Sequence, residues 1–450
     1  LTDEPIATGR SDYRNPIGWL TIAGCVLLMV AAQVAAYLSP KPDIDLVRAR
    51  IEEEVQTDVG IEATNEGNAA AFAKDLAKAV QTLRPRLGSD PETQMLYAAV
   101  RIEQHAAIEP AEIAALKDSK NLAYQAAFQI DSNPKLDLAD ARRLASQIPP
   151  KEFLYKLVSA QALEKAGDDG PRKALASNGL KSDVVLNASL GAIGLLGLVV
   201  WWGYYLARSH GLLEPKGLPT GGLSLPDADR LAIRCGQMFL AYLGIFLLAG
   251  AILRTPAEQK YSEMLVELIL ACLILWLSVV PVDRKLFSLR SLGITREHFG
   301  QHVLWGIGGA VANIPILFLV QFASAYVFRG LPTPEHPVTV ELGYTTNPIV
   351  LAQIAIVASI LAPIVEEQIF RGTMFPALTA VFKSPIWAAV VSSLVFGMIH
   401  PTGIPAWPGL AAIGAMSCFL AYQTKSLMPS MVMHGVHNFA TLIFTLLALR

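Results

Sequence analysis

About nine stretches of roughly 20 mainly apolar residues recur along this chain, the length an α-helix needs to cross the hydrocarbon core of a bilayer. They fall at 17–38, 184–206, 232–253, 262–280, 303–328, 348–366 and beyond, 385–400, 408–423 and 428–448. The segments at 385–400 and 408–423 are short and are expected to be tilted or incomplete. Of the 450 residues, 53% are hydrophobic and 16% charged, whereas soluble chains carry about 25% charged residues. The expected fold class is therefore all-α, a polytopic integral membrane protein. Trp19, Trp201, Trp202, Tyr204, Tyr205 and Trp387 flank the apolar runs as interfacial anchors. The first run is long and no small-residue cleavage site follows it, so it is expected to be kept as a span. A net charge of −2 gives no case for nucleic acid as a partner. Cys25, Cys235, Cys272 and Cys418 lie in apolar stretches, at spacings of neither a disulfide framework nor a zinc ribbon.

Basic residues orient the set. With a cytoplasmic amino terminus, the inner side holds Arg10, Arg14, Arg208, Lys216, Arg230, Arg234, Arg284, Lys285, Arg290, Arg296, Arg371, Lys383 and Lys425. The outer segments hold Arg254, Lys260, Arg329 and Arg450. That bias places the polar region 41–182 outside. The region reads as a separate helical domain, with stretches such as ETQMLYAAVRIEQH and EFLYKLVSAQALEKAG divided by Gly88, Pro91, Pro134, Pro149 and Pro150. The expected organisation is a first span in 1–40, an extramembrane helical domain in 41–182, a second span and linker in 183–229, and a multi-span core in 230–450. The extramembrane domain is a candidate surface for a protein partner.

Three polar islands interrupt the last apolar segments. The first is EEQIFR, with Glu366, Glu367 and Arg371 inside NPIVLAQIAIVASILAPIVEEQIFRGTMFPALTA. Ionisable groups in hydrocarbon cost at least a few kcal/mol, so they mark function by default. Positions four apart share a helix face, so Glu367 and Arg371 can pair, while Glu366 sits about 100° round the helix. Glu366 then has no local partner and is free to act as a general base; a purely structural ion-pair network is the alternative. The second island is FGMIH, where Phe396 precedes His400 by four and Pro401 follows. The third is HGVHN, where His434 and Asn438 share a face. That pair suits two donors aimed at one oxyanion, or a polar stitch between helices. His437 lies on a neighbouring face.

In order and approximate spacing, EExxxR, FxxxH and HxxxN resemble the CAAX protease and bacteriocin-processing family (CPBP, or Abi) of intramembrane glutamate-type endopeptidases. The resemblance covers residues 348–445 in its motifs and 230–450 in its multi-span core. It implies that Glu366 and His400 activate a water and that His434 and Asn438 stabilise the oxyanion. Glu367 completes the candidate catalytic set, with Arg371 and Phe396 as structural support. It further implies metal-independent hydrolysis without a cofactor, and a peptide or protein substrate that is membrane-associated or lipidated, within membrane lipid. The segment 41–182 has no place in the family core. A large outer domain points to a bacterial inner membrane.

Two other classes stay open. Glu and two His are also a catalytic zinc set, and a membrane scaffold acting through 41–182 would not need the carboxylates. Transport is disfavoured by the lack of an inverted repeat. EHFGQH places His298 and His302 four apart but lacks the HExxH order, and the pair is expected to be interfacial. His105, His210 and His336 belong to no constellation. GLPTGGLSLP lacks the GK[ST] of a phosphate loop, and no GxSxG occurs. The orientation has a direct test. Alkaline-phosphatase fusions should be active at Gly88 and inactive at Gly293, and the opposite pattern would invert the topology.

Overall fold

The computed structural model describes residues 15–38, 69–86, 90–133, 135–149, 153–252, 297–329 and 347–448, with positions 48, 51, 52, 55, 56, 59, 269, 272, 273, 292, 294, 331 and 342 between them. Every regular element among the described residues is helical. Six of these helices are long and apolar enough to cross a membrane: Ile17–Ala35, Ala188–Ser209, Phe299–Val327, Pro348–Phe382, Ile404–Thr424 and Met428–Leu447. The segment expected at 232–253 lies in the helix Leu225–Ile252. That expected at 385–400 is the shorter helix Pro385–Met398. The run 262–280 falls largely outside the described residues.

The chain divides into two compact units, one within Leu1–Ser39 and Gly191–Ile443, the other within Pro40–Leu190 and Phe444–Arg450. In the first unit the usual distribution of polarity is inverted. Phe322 is 78% exposed and Leu319 70%, whereas Glu367 and Arg371 are fully buried and Ser392, Ser417 and Ser430 are equally inaccessible. Apolar side chains facing outward are the solution for a chain whose solvent is lipid.

Two tight turns assemble the last four helices of this unit into hairpins. The helix Pro348–Phe382 stops at Lys383, which adopts a left-handed conformation (φ 52°). Ser384 then caps the next helix by accepting from the Trp387 amide, and Pro385 opens it. Lys425 (φ 58°) likewise ends the helix Trp407–Thr424 just before the helix Met428–Ala448. Left-handed backbone closes a helix within a residue or two. The partners therefore fold back directly.

The second unit is built round the helix Pro91–Glu103, in which Met95 to Val100 are all buried. Asp90 caps it by accepting from the Thr93 amide, and Pro91 supplies its first turn. Leu116, Ala126, Ala127, Ile130, Leu144, Leu157 and Val158 from successive short helices complete the core. Polar contacts tie the helix ends together. Gln161 Nε2 donates to the Ala99 carbonyl (3.0 Å) and to Glu103 Oε1 (2.5 Å), and Arg172 holds both oxygens of Glu103 at 2.6 and 2.5 Å.

Asp131, at the end of the helix Leu122–Ser132, is an exception to this pairing. Its Oδ1 is buried without a hydrogen-bond partner, although the residue as a whole is half-buried. Burial pushes the carboxyl up to about 7, against a smaller opposing pull from Lys165. A carboxyl whose folded pKa is raised contributes stability that is complete below its unfolded pKa, near 4, and is lost as pH rises through about 7. Hydrogen-exchange protection of residues 122–132 in the whole protein, corrected for intrinsic exchange, should fall between about pH 4 and 7. In Asp131→Asn the fall should disappear; an unchanged pH dependence in that variant would refute the assignment.

Candidate active site

The site is assembled by the helix Pro348–Phe382, which departs from α geometry twice. π turns occupy Val357–Leu361 and Gln368–Met374, on either side of the two glutamates. Insertions of this kind are rare and recur at functional sites. The first has a sequence cause in Pro363. The Ala362 amide bonds the carbonyl of Val357, five residues back. The carbonyl of Ala358 thereby loses its usual donor, and the next residue in line, Pro363, has no N–H. Asn438 supplies the missing bond, its Nδ2 donating to Ala358 O at 2.8 Å. One turn earlier on the helix Met428–Ala448, Gly435 lies so close to the Ser359 carbonyl that a Cβ there would be 2.4 Å from the oxygen. Only glycine permits that approach.

Between the π turns the two carboxylates face different surroundings. Glu367 Oε1 accepts from Arg371 NH1 at 3.1 Å, from Ser417 Oγ at 3.2 Å, and faces His434 Nδ1 at 3.1 Å. Arg371 also donates to the Gly414 carbonyl at 2.8 Å, and its guanidinium lies over the Phe396 ring, 4.7 Å from the centroid. A fully buried ion pair survives desolvation only with supplementary hydrogen bonds of this sort. Glu366 is differently placed. Its Oε2 is 3.8 Å from His400 Nε2 and 3.7 Å from His434 Nε2. Both separations exceed hydrogen-bond length, and this buried oxygen has no partner among the described residues. Its acceptor capacity is unspent.

The histidines are held by their other nitrogens. The helix Pro385–Met398 ends as the His400 amide turns to Gly397 O, which frees the Phe396 carbonyl. His400 Nδ1 takes that carbonyl at 2.6 Å. A carbonyl can only accept, so Nδ1 carries the hydrogen and Nε2 is left facing Glu366. The Phe396 ring packs 4.6 Å from the His400 ring and 5.7 Å, edge-on, from that of His434. The structure thus brings Glu366, Glu367, Arg371, Phe396, His400 and His434 together. Asn438 enters through Ala358. His437 uses its carbonyl to accept from Thr441 Oγ1.

Sequence reasoning missed Ser417 and Gly414. A serine in an apolar helix is an ordinary packing residue, and the only signal was its spacing of three from Gly414. Of the other histidines, His298 caps a helix in a left-handed conformation. His302 is buried with its Nδ1 3.5 Å from Ser426 Oγ, next to the turn at Lys425. Among the described residues, no group of three or more His, Cys, Asp or Glu side chains is arranged to hold a metal ion.

Residues 348–440 match the family described as Type II CAAX prenyl endopeptidase Rce1-like. The likeness to that family is carried by this segment. The match begins at the first turn of the glutamate-bearing helix and ends just beyond Asn438, so the Rce1-like region contains all three polar islands. No curated protein and no solved structure matches the chain. With its apolar helices, the protein is an integral membrane protein with a CAAX protease-type, Rce1-like peptidase region.

Asn438→Ala should leave the half-buried Ala358 carbonyl unbonded, at a cost of about 1–3 kcal/mol. The destabilisation should appear in detergent unfolding curves even in a Glu366→Gln background, where catalysis cannot confuse the reading. Unchanged stability would mean that the π turn does not depend on Asn438.

Proposed function

We propose that the protein is an intramembrane endopeptidase that hydrolyses a peptide bond with a water activated by Glu366 and His400, without a metal. The observation that carries this reading is the unspent Glu366 oxygen between two imidazole nitrogens, beside a second carboxylate whose Oε1 is held by Arg371, Ser417 and His434. Glu366 takes the water proton while His400, anchored through Nδ1, orients that water with Nε2. The hydroxide attacks the scissile carbonyl carbon, and the carbonyl oxygen becomes an oxyanion.

His434, flanked by the carboxylates of Glu366 and Glu367, donates to that oxyanion from Nε2 when doubly protonated. Asn438 has a second amide hydrogen beyond the one given to Ala358, and its side chain is already fixed. Donors fixed before reaction give the largest gain in such chemistry. The proton on Glu366 passes to the leaving amine as the tetrahedral intermediate collapses. Glu367 and Arg371 hold the helix and the His434 ring.

The family resemblance supports a peptide or protein substrate that is membrane-associated or lipidated. The charge bias supports a cytoplasmic amino terminus with residues 41–182 outside, and the large outer domain supports a bacterial inner membrane. That external region is our candidate for recognising a protein partner.

The two glutamates should fail differently. Glu366→Gln is nearly isosteric and should keep the thermal midpoint while lowering turnover of quenched peptides, prenylated or not, by about 10²–10⁴-fold. Glu367→Gln leaves a buried guanidinium unpaired and should first lower stability, by several kcal/mol. Near-normal turnover in Glu366→Gln, with a well-folded but inactive Glu367→Gln, would reverse the roles. Chelators should leave activity intact; about one zinc per chain, lost together with activity, would make the site a metallohydrolase.

A further inference from the structure

A second site lies on the far side of the helix Trp407–Thr424 from the carboxylates. Met416, Phe419 and Leu420 of that helix face a cavity of about 310 Å³, closed by the helices Gly170–Ser209 and Phe299–Val327. This volume is at the lower end of small-ligand pockets. Trp201, Tyr204, Trp305 and Phe419 wall it with rings already in mutual contact, at centroid distances of 5.3–6.4 Å. Two of their polar atoms are spent elsewhere: Trp201 Nε1 donates to Ala312 O at 2.8 Å and the Tyr204 hydroxyl to Gln423 Oε1 at 3.0 Å. Gly308 also lines the cavity, and a Cβ there would meet nothing within 4 Å.

The wall is therefore rigid and apolar, and it cannot satisfy a peptide backbone, which leaves unpaired amides at several kcal/mol each. A hydrocarbon chain has no such need. One end of the cavity is polar. Gln301 lines it there, and Arg208 follows Tyr204 by one helical turn. The Lys216 amide bonds the carbonyl of Gln423, the residue that receives the Tyr204 hydroxyl. The Lys216 side chain is exposed, and Lys425 and His298 lie at the same helix ends. Among the described residues, the anions there are Glu214, paired with Arg208, and Glu297. The balance is cationic.

We propose that this cavity binds one chain of a membrane phospholipid whose anionic headgroup lies against Lys216 and its neighbours. The lipid is a bound component and not the substrate's own hydrocarbon. Gly414 and Ser417, which hold Arg371 and Glu367, are on another face of the helix from Met416 and Leu420, so a chain in the cavity is separated from Glu366 by a helix about 10 Å thick.

The test uses the full-length protein, delipidated in detergent and then mixed with micelles containing phosphatidylglycerol or phosphatidylcholine. Native mass spectrometry reads retained lipid, and a thermal shift reads its effect. The wild type should retain one phosphatidylglycerol and melt higher with it. Gly308→Leu adds a side chain at the cavity wall where a Cβ meets nothing within 4 Å, and should weaken retention at least tenfold, with an unliganded midpoint no lower than wild type. Gly203→Leu, on an open surface outside the cavity, should retain lipid normally. Lys216→Gln should abolish the preference for phosphatidylglycerol over phosphatidylcholine. Equal retention by Gly308→Leu, or no headgroup preference in the wild type, would overturn the proposal. So would displacement of the lipid by a prenylated peptide, which would assign the cavity to substrate.

Discussion

The membrane unit is organised round one buried ion pair. Glu367 and Arg371 are fully inaccessible, in surroundings where an isolated charge costs several kcal/mol. Their mutual attraction does not offset this cost without help. Ser417 from one helix, His434 from another and the Gly414 carbonyl each spend a polar group on the pair. The Phe396 ring of a third helix covers the guanidinium. Desolvation thus forces four helices to converge at one point, and Glu366, the adjacent residue, is delivered there with its own carboxylate uncommitted.

A second constraint is backbone satisfaction, which is strict where the solvent is lipid. Two of the irregularities in the helices of this site, the π turn before Pro363 and the turn after Phe396, each free a carbonyl. In both cases a side chain of the polar islands replaces the lost donor: Asn438 for Ala358 and His400 for Phe396. The same bonds that repair the backbone fix the orientation of the side chains. Strained helix geometry and an ordered polar site are two consequences of one arrangement.

Much of this was legible in the sequence, for identifiable reasons. Helical class followed from run length and composition. The Glu367–Arg371 contact followed from a spacing of four, which the π turn at 368–374 perturbs without breaking. The π turns were not legible, because Pro363 announces a defect but not which carbonyl is freed or what repairs it. For the same reason Asn438 read as a partner of His434 on one face, while its bond to Ala358 depends on a helix 80 residues away. Ser417 and the aromatic cavity were invisible. A lone serine and scattered aromatic residues carry no periodic signal until helices distant in sequence are packed together.

The central claim is that Arg371 is present for Glu367 and not for Glu366. A double-mutant cycle on unfolding free energy, with Glu367→Gln, Arg371→Met and the double variant, measures it directly. The account predicts that each single change destabilises strongly, that the double variant recovers much of the loss, and that the coupling is on the order of a few kcal/mol. Additive losses in that cycle, with strong coupling appearing instead between Glu366 and Arg371, would contradict it.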